Sequence, residues 1–409
     1  MNLKNCRICH GNSFKRYLDL GFTPPADSFI AKQGLQQPEM YYPLEVCLCL
    51  GCGISQLGYT VPPDILYQHD YPYESSTTLA GRTHFLNLAT SVVDRFKLGS
   101  KNLVIDVGSN VGVLLDGFKA KGCRILGVEP SANIATIAVG RGIETINDFI
   151  SPQLASQVIG KYGKVSVVTV TNVFAHIDDL DGFMKAVDLL LDKMGVLIIE
   201  VPHFLKLIQN LEYDTIYHEH LSYVSVKPLN HLFSRFGYEV FDVKEVGIHG
   251  GSIRIYVSRS SCYQPTVAID KMIAVEESNG IFDYERLTKF SNDVILHRLK
   301  LTTLLNSLKK EGSTLAGVSA PAKGMTLLNF CRIGPELLDF VTEKSRLKIG
   351  RYTPGMHIPV LPDSALVERG PDYALLLAWN FADEIMRNLR EYRDKGGKFI
   401  IPIPEPRIV

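Results

Sequence analysis

The sequence predicts an α/β protein in which a small cysteine-rich module precedes two doubly wound domains. Three observations support this fold class. Two Cys-x-x-Cys pairs lie near the N-terminus, a strand, glycine turn and helix begin near residue 103, and a second such unit begins near residue 315. A strand that leads through a glycine turn into a helix is the repeating unit of doubly wound domains. We therefore expect domain boundaries at 1–70, 71–262 and 263–409.

The composition is that of an ordinary globular protein. Of the 409 residues 46% are apolar and 21% charged, and 43 basic residues balance 43 acidic ones. A zero net charge gives no electrostatic footprint for nucleic acid or an anionic membrane. No apolar run approaches the roughly 20 residues of a spanning helix, and the N-terminus lacks the apolar core of a signal peptide. We therefore expect a cytoplasmic protein, monomeric because it already contains three modules, that binds neither nucleic acid nor membrane.

Five of the eight cysteines lie within the first 52 residues. In a long chain without an export signal, such clustering predicts metal binding rather than disulfides. Cys6 and Cys9 form one Cys-x-x-Cys pair, and Cys49 and Cys52 form the other. These four thiolates suit tetrahedral zinc and fill its coordination sphere, so we expect a structural metal. Cys47 is an alternative to Cys49, which keeps the regular spacing; free thiols without a metal are the other alternative.

The turn after the strand at residues 103–107 has the pattern Asp106-x-Gly108-x-Asn110-x-Gly112. A dinucleotide pyrophosphate needs the different spacing Gly-x-Gly-x-x-Gly. An acidic residue at the end of the first strand, followed by alternate glycines, suits instead the amino-acid part of S-adenosylmethionine (AdoMet). We therefore predict an AdoMet site to which these four residues contribute. A nicotinamide cofactor and an empty fold are the alternatives.

Later strands of the same domain also end in polar residues. Glu129 ends the second strand, Asp148 follows the third and Asn172 follows the fourth. Because ligands bind beyond the carboxyl ends of strands in open α/β sheets, we expect all three at the AdoMet site. Glu129 is expected to accept from the ribose hydroxyls, and Asp148 to lie near the adenine. We interpret His176 as a structural histidine and His249 as part of a glycine turn between the sixth and seventh strands.

The most distinctive stretch is Tyr-His-Glu-His-Leu-Ser-Tyr at residues 217–223. Packing alone rarely requires so many titratable groups, so we predict a general base with a neighbouring group that orients it. A polar loop with satisfied histidines is the alternative. The stretch follows a fifth strand at 195–201 and precedes a helix at 228–236. It therefore belongs to an insertion above the cofactor crevice.

A polar, aromatic segment at residues 71–78 precedes a predicted helix at 79–96. Thr77 or Thr78 is a candidate N-cap for that helix. On sequence alone, a helix cap with packed tyrosines is the preferred interpretation of this segment.

The C-terminal part repeats the α/β pattern without the AdoMet turn. A turn that contains Lys323 is a candidate diphosphate site, formed by backbone N–H groups and the lysine charge. A purely architectural repeat is the alternative. The expected elements are helical spacing over 268–310, a strand at 315–319, a helix at 325–330, a buried strand at 373–380, a helix at 381–395 and a strand at 399–402 that closes the sheet.

Together these motifs resemble the sugar C-methyltransferases that act at C-3 of dTDP-4-keto-deoxysugars in branched deoxysugar biosynthesis. The resemblance covers essentially the whole chain. The motifs that carry it are the four N-terminal cysteines with Gly-Ile-Ser-Gln-Leu at 53–57, the AdoMet turn, the stretch at 217–223, Ala-Lys-Gly at 322–324, Pro-Gly-Met-His-Ile-Pro-Val at 354–360 and Leu-Ala-Trp-Asn at 377–380.

The resemblance implies a zinc-binding module, a Rossmann-like class I AdoMet methyltransferase domain and a second Rossmann-like domain. It further implies a nucleotide-linked keto sugar as substrate and active-site roles for His220, Tyr217 and Tyr71. We expect His220 to remove the C-3 proton next to a 4-ketone, with Glu219 or Tyr217 orienting it or stabilising the enolate oxygen. His218 is expected to pack away from the substrate. Substrate contacts are expected from Tyr73, Ser75, Tyr223 and Lys323.

Three other functions are alternatives. O- or N-methylation of a nucleotide sugar needs a base but no ketone. A sugar-nucleotide oxidoreductase or epimerase needs a Gly-x-Gly-x-x-Gly turn. The turn after the first strand here does not have this pattern. A non-catalytic AdoMet-binding scaffold would leave the stretch at 217–223 without a task.

Overall fold

A computed structural model of the protein describes residues 1–67, 71–75, 79–248 and 250–409. The N-terminal part is an antiparallel sheet in which β1 pairs with β2 and β2 with β3. Strand alternation buries Leu44, Val46 and Leu48 on one face of β2. The elements are β1 (Phe14–Thr23), a 3-10 helix (Lys32–Gln36), β2 (Tyr42–Cys49), β3 (Ser55–Leu57) and α1 (Pro63–Tyr67).

The central part alternates strands and helices. Two 3-10 helices, Phe174–His176 and Tyr213–Thr215, interrupt it. Its other elements are α2 (Leu79–Phe96), β4 (Leu103–Val107), α3 (Val113–Ala120), β5 (Arg124–Val128), α4 (Ala132–Gly140), β6 (Thr145–Ile146), α5 (Pro152–Tyr162), β7 (Val165–Thr171), α6 (Leu180–Leu190), β8 (Leu191–Pro202), α7 (Phe204–Gln209), β9 (Ser222–Tyr223), α8 (Val226–Ser234), β10 (Tyr238–Val246) and β11 (Ser252–Arg259).

Seven of these strands form one sheet in the order β10-β11-β8-β7-β4-β5-β6. The strands from β8 to β6 in this order are parallel, whereas β11 runs antiparallel to both its neighbours. All residues of β4 are buried, as expected for a central strand covered by helices on both faces. The strand order reverses between β4 and β7, and such a switch point leaves a crevice for ligands. The expected sixth and seventh strands are β10 and β11, while His249 lies outside the described residues.

The C-terminal part contains a second sheet in the order β14-β13-β12-β15-β16-β17. All its pairs are parallel except that of β16 with β17. The elements are α9 (Ala268–Ser278), α10 (Tyr284–Lys310), β12 (Leu315–Val318), α11 (Ala322–Cys331), β13 (Val341–Glu343), β14 (Val360–Pro362), α12 (Ser364–Arg369), β15 (Tyr373–Leu376), a 3-10 helix (Trp379–Phe381), α13 (Ala382–Asn388), α14 (Arg390–Asp394), β16 (Lys398–Ile401) and β17 (Arg407–Ile408).

The main differences from the sequence-based elements lie in the C-terminal part of the chain. The long helix at 268–310 is two helices, because Gly280 takes a left-handed φ of 68° and Asp283 caps the second one. The strand expected at 373–380 ends at Leu376, where the chain turns towards a 3-10 helix, and the helix after it is split into α13 and α14. The strand β16 does not close the sheet, because β17 pairs beyond it. The suggested caps Thr77 and Thr78 lie outside the described residues.

The insertion between β8 and α8 joins the three parts of the chain. Strand β9 pairs antiparallel with β3, so the N-terminal sheet takes its fourth strand from this insertion. One apolar core contains Leu44 of β2, Ile216 of the insertion, Leu301 of α10 and Leu375 of β15. The insertion is therefore held between the other two sheets. Within the part of the chain that the structure describes, no helix is both long and apolar enough to span a bilayer.

Candidate functional site

The two Cys-x-x-Cys pairs form one thiol cluster. The Sγ atoms of Cys6, Cys9, Cys49 and Cys52 all lie within 4.8 Å of one another. Two of the Sγ–Sγ distances, Cys6 to Cys52 and Cys9 to Cys49, are 3.6 Å. Tetrahedral zinc with bonds of about 2.3 Å places its sulfur ligands about 3.8 Å apart, so the cluster fits this metal. Cys47 is not part of the cluster, which rules against it as a substitute for Cys49.

Arg7, between two of these cysteines, connects the thiol cluster to the central part. Its buried guanidinium donates to Asp178 Oδ1 and Thr60 Oγ1, each over 2.7 Å, and to the carbonyl oxygen of Leu221 over 3.4 Å. Leu221 is the residue after His220. The loop that carries the cysteines therefore contacts the insertion directly beside its candidate base.

A cavity of about 460 Å³, the switch-point cavity, lies at the carboxyl ends of β4, β5 and β7. Six of the seven residues predicted for AdoMet line it. They are Asp106, Gly108, Asn110, Glu129, Asp148 and Asn172.

The seventh, Gly112, shapes the turn but does not line the cavity, contrary to the expectation of a cofactor contact. Its φ is 82°, and a Cβ there would lie 2.8 Å from Cγ1 of Ile143. Gly108 does lie on the wall, with a φ of 67°, and its Cβ would lie 2.4 Å from Cγ2 of Val173. Both positions require glycine, because L side chains rarely adopt such φ values.

Two buried carboxyl groups give the switch-point cavity its acceptors. Asp106 accepts from Thr169 Oγ1 over 2.7 Å, and burial raises its pKa to about 7 although that hydrogen bond opposes the shift. Glu129 accepts from the backbone N–H groups of Asn110 and Ser131, each over 2.9 Å, and burial raises its pKa. Each carboxylate oxygen can accept a second hydrogen bond. This donor-poor, acceptor-rich wall fits the ammonium and ribose hydroxyl groups of AdoMet.

Hydrogen bonds between two asparagine side chains and the backbone hold the segment at 71–75 beside this cavity. Asn110 Oδ1 accepts from the backbone N–H of Ser75 over 2.8 Å, and its Nδ2 donates to the carbonyl oxygen of Tyr73 over 3.1 Å. Asn133 Nδ2 donates to the carbonyl oxygen of Tyr71 over 2.9 Å. Ser75, predicted to contact the substrate, lines the switch-point cavity only.

A second cavity of about 280 Å³, the insertion cavity, lies between the insertion and the C-terminal sheet. It brings together Tyr217, Glu219, His220 and Lys323 from the predicted site. The two cavities share part of their walls and therefore lie side by side. The shared residues are Tyr71, Tyr73, Phe85, Asn172 and His176.

The tautomer of His220 follows from one hydrogen bond. Its Nδ1 lies 2.6 Å from the carbonyl oxygen of Thr215. A carbonyl oxygen can only accept, so Nδ1 carries the proton and the basic lone pair of the neutral ring is on Nε2. The ring centroid lies 4.0 Å from that of Tyr217 and 5.1 Å from that of His176. His220 therefore packs against two aromatic rings, and its basic nitrogen is Nε2.

His176 differs from the satisfied structural histidine that the sequence suggested. Its Nε2 is buried and has no hydrogen-bond partner among the residues that the structure describes. Burial, with the nearby charge of His220, holds the pKa of His176 well below its usual value, so the ring is neutral. It stacks on Tyr67 at 6.0 Å between centroids. The only sequence signal for this residue was its position after the fourth strand.

Glu219 lies in a buried network that the sequence showed only in part. Tyr71 donates its hydroxyl hydrogen to Glu219 Oε2 over 2.9 Å. Burial and the charge of Asp27 raise the pKa of Glu219 to about 8, although the Tyr71 hydrogen bond and Lys348 oppose the shift. Asp27 and Lys348 form a buried ion pair of 2.9 Å on the same cavity wall. No motif marked these two residues.

Lys323 stands in the first turn of α11, where its Nζ lies 4.2 Å from the ring centroid of Trp379. Burial lowers the pKa of Lys323, and the carboxylates of Asp214 and Glu212 oppose that shift. Trp379 Nε1 in turn donates to Asp214 Oδ2 over 2.7 Å. The lysine therefore lies on the wall of the insertion cavity, within the electrostatic influence of two acidic groups of the insertion.

Two aromatic residues of the stretch at 217–223, Tyr223 and His218, line neither cavity. Tyr223 was predicted to contact the substrate, but it lines neither cavity and its ring lies 6.1 Å from that of Phe204 in the core. The cause is strand β9, whose pairing with β3 directs this side chain into the core between the parts. His218 Nε2 lies 3.3 Å from the carbonyl oxygen of Tyr42, and burial lowers the pKa of His218 to about 4.

Comparisons with known proteins agree with this arrangement. Residues 6–67 match a zinc binding domain family, residues 82–243 a methyltransferase domain family and residues 247–404 a C-methyltransferase C-terminal domain family. The chain is 34% identical over 408 residues to C-methyltransferase NovU of Streptomyces niveus. This match covers 100% of this chain and 97% of that protein.

Solved structures match less than half of the chain, and more weakly. Magnesium protoporphyrin IX methyltransferase (ChlM) from Synechocystis with bound SAM is 15% identical, with 44% of this chain and 79% of that chain covered and a TM-score of 0.34. An S-adenosylmethionine-dependent methyltransferase from Clostridium acetobutylicum is 16% identical, with 43% and 91% covered and a TM-score of 0.35. At these TM-scores the likeness carries no inference.

The predicted fold class, its zinc-binding module and its two cofactors are confirmed by the family matches together with the thiol cluster. The protein is an enzyme that uses AdoMet, and its zinc site has no position left for chemistry. The chain belongs to the C-methyltransferases that combine a zinc-binding domain, a methyltransferase domain and a C-methyltransferase C-terminal domain.

Proposed function

We propose that the protein methylates C-3 of a nucleotide-linked 4-keto-deoxysugar, with dTDP as the expected nucleotide. The observation that carries the proposal is the shared wall of the two cavities, with His220 in the insertion cavity. Methylation at carbon needs a carbon nucleophile, and a sugar carbon becomes one only beside a carbonyl group. A base in the cavity next to the AdoMet crevice supplies the first requirement of this chemistry.

In the proposed reaction, Nε2 of His220 takes the proton from C-3, and the electron pair moves onto the C-4 oxygen. The hydrogen bond from Nδ1 to Thr215 keeps the lone pair on Nε2 and stabilises the imidazolium that forms. AdoMet would be held by Asp106, Gly108, Asn110 and Glu129 and would supply an activated methyl group, with S-adenosylhomocysteine as the leaving group. The protein's further work is to align the carbon nucleophile and to exclude water.

The developing enolate oxygen needs hydrogen-bond donors. Tyr217 is one, because burial keeps its pKa well above the usual value and its phenol protonated. Glu219, with a pKa of about 8, is protonated at neutral pH and is then also a donor. Tyr73 lines both cavities and is a further donor, whereas Tyr71 uses its hydroxyl hydrogen to orient Glu219. The neutral ring of His176 lies beside the base, where it adds no positive charge.

The nucleotide end of the substrate is assigned to the opposite wall of the insertion cavity. Lys323 brings a positive charge to the start of α11, where the positive end of the helix dipole adds to it. A lysine at a helix N-terminus suits a diphosphate. Lys323 therefore holds the diphosphate while the keto sugar extends towards His220.

Exchange with solvent tests this function before any methyl transfer. The enzyme is incubated with a dTDP-4-keto-deoxysugar in deuterated water without AdoMet, and the C-3 hydrogen is followed by NMR. We expect exchange with the native enzyme and its loss in His220→Ala. His231→Ala, at an exposed histidine of α8, is the matched control and should exchange normally. If His220→Ala still exchanges the C-3 hydrogen, His220 is not the base. If the native enzyme methylates the sugar without exchange, O-methylation is favoured.

A further inference from the structure

We infer that Asp214 is a positioning residue that couples the nucleotide end of the insertion cavity to the base His220. The inference rests on the proposed function, because it takes Lys323 as the diphosphate-binding group. Asp214 lies in the 3-10 helix Tyr213–Thr215, a few residues before the stretch that contains His220. It touches neither cavity, so its influence on the reaction must pass through other residues.

Asp214 is fully buried, with 0% of its surface exposed. One carboxylate oxygen, Oδ2, accepts from Trp379 Nε1 over 2.7 Å. The other, Oδ1, has no hydrogen-bond partner within the described parts of the chain. A buried carboxylate with an unpartnered oxygen is costly unless a positive charge compensates it. The charge of Lys323 favours the ionised carboxylate of Asp214, as do Trp379 and the backbone N–H groups of Asp214 and Thr215.

Trp379 stands between the two charges. Its indole N–H points to the carboxylate, and the ammonium of Lys323 lies 4.2 Å from its ring centroid. Its neighbours Ala378 and Asn380 line the insertion cavity together with Lys323. The ammonium therefore lies on an aromatic face, and the buried carboxylate accepts from the N–H of the same indole. A diphosphate in the cavity offers Lys323 a stronger, charge-assisted partner.

The three residues from Asp214 onwards are each fixed to a different group. Asp214 binds Trp379, the carbonyl oxygen of Thr215 accepts from His220 Nδ1, and the carbonyl oxygen of Ile216 accepts from Thr326 Oγ1 over 3.0 Å. Thr326 belongs to α11, the helix that begins beside Lys323. The segment therefore cannot shift at Asp214 without changing the hydrogen bond that orients the imidazole.

The consequence is that nucleotide binding and proton removal are coupled. When Lys323 turns to the diphosphate, Asp214 and Trp379 adjust, and the Thr215 carbonyl transmits the change to His220. Binding energy from the nucleotide, which takes no part in the chemistry, is thus used to set the base. An orientation error of about 1 Å costs on the order of 100-fold in rate, so the effect is large enough to measure.

Trp379 is the single tryptophan of the chain, so its fluorescence reports on this cluster directly. The probe is dTDP, titrated into the zinc-loaded enzyme without AdoMet. We expect a saturable change in tryptophan emission that is lost in Lys323→Met. An emission spectrum that stays constant while calorimetry shows dTDP binding overturns the coupling.

The variant Asp214→Asn keeps an oxygen acceptor for the indole but removes the charge. We expect kcat and the rate of C-3 exchange to fall about tenfold or more, with the KM for the sugar nucleotide nearly unchanged. Asp270→Asn, at an exposed position of α9, is the matched control. An increase in KM alone means that Asp214 acts in binding, and unchanged kcat and KM mean that it has no role; either result overturns the inference.

Trp379→Phe is a second variant, which keeps an aromatic ring and loses the indole donor. It should reproduce the loss of kcat at constant KM even if Asp214→Asn folds poorly, and normal kcat in a folded Trp379→Phe protein contradicts the inference. The proposed function is tested by a separate result. It is wrong if the native enzyme exchanges no C-3 hydrogen. Native exchange that Asp214→Asn and Trp379→Phe leave intact defeats the coupling alone.

Discussion

The Nδ1 atom of His220 and the carbonyl oxygen of Thr215 are joined by a hydrogen bond of 2.6 Å, which gives the imidazole its tautomer. This bond leaves the proposed base with a basic Nε2 and fixes its ring relative to the insertion.

The first prediction concerns this group. Replacing His220 by Asn removes the base and should lower kcat by about 10² to 10⁴. Binding of S-adenosylhomocysteine, measured by calorimetry, should be unchanged, because His220 does not line the switch-point cavity. A loss of both properties would mean that the variant disturbs the fold.

The second prediction concerns pH. Glu219 has a pKa of about 8, so it is protonated and able to donate below that value and ionised above it. The rate should therefore fall as the pH rises through about 8, since the enolate oxygen loses a donor and gains a negative neighbour. Glu219→Gln keeps a neutral donor and should lack this alkaline limb. The measurement is a kcat profile between pH 6 and 10; the same alkaline limb in the variant would assign it to another group.

The third prediction separates two tyrosines. Tyr71→Phe removes the hydroxyl that donates to Glu219 and should reduce kcat about tenfold or more. Tyr223→Phe should leave kcat and KM unchanged, because Tyr223 lines neither cavity and its hydroxyl has no partner among the described residues. Steady-state kinetics on the matched pair decide the point. A raised KM in Tyr223→Phe would restore the sequence-based role that the structure does not support.

The fourth prediction tests the AdoMet turn. In Gly108→Ala the new Cβ meets Val173 at 2.4 Å and the backbone φ is unfavourable, so the turn must distort. Calorimetry with S-adenosylhomocysteine should show binding weakened about tenfold or more, corresponding to at least about 1.4 kcal/mol. Gly160→Ala in α5 has open space at the Cβ position and is the control. Equal affinity in the two variants would show that the turn does not hold the cofactor.

The fifth prediction concerns Arg7. Lysine at this position retains the charge but cannot replace the branched donor geometry towards Asp178, Thr60 and Leu221. Thr60 and Leu221 are buried, whereas Asp178 is exposed. Each buried acceptor left without a donor costs about 1–3 kcal/mol, so the melting temperature of Arg7→Lys should fall. Its zinc content, measured by plasma mass spectrometry, should stay stoichiometric because the four cysteines remain. Arg16→Lys, at an exposed arginine of β1, is the control. Zinc lost from Arg7→Lys would instead make Arg7 part of the metal site.

The features that could be read from the sequence are those encoded by residues close together in the chain. The thiol pairs and the turn from Asp106 to Gly112 are of this kind, because their spacing alone determines which groups face a common point. The direction in which a side chain points was harder to predict than its position in the chain. Tyr223 belongs to the distinctive stretch, yet the alternation of a strand turns it into the core.

Contacts between distant segments had no signal in the sequence. The ion pair between Asp27 and Lys348 joins residues 321 positions apart, and its effect on Glu219 depends on burial that only the assembled chain produces. The contact of Asp214 with Trp379 spans 165 positions. His176 was seen in the sequence but misinterpreted, because whether a buried nitrogen finds a partner depends on the surrounding side chains.

The pairing of β3 with β9 also bears on how the protein is made. The N-terminal sheet takes its last strand from Ser222–Tyr223, so a ribosome must produce more than half of the chain before this sheet can close. Until then β3 presents an unpaired edge, of the kind to which other chains can add. The same dependence means that a fragment ending before β9 would lack part of its own sheet. The first module of this protein is thus early in the sequence but late in assembly.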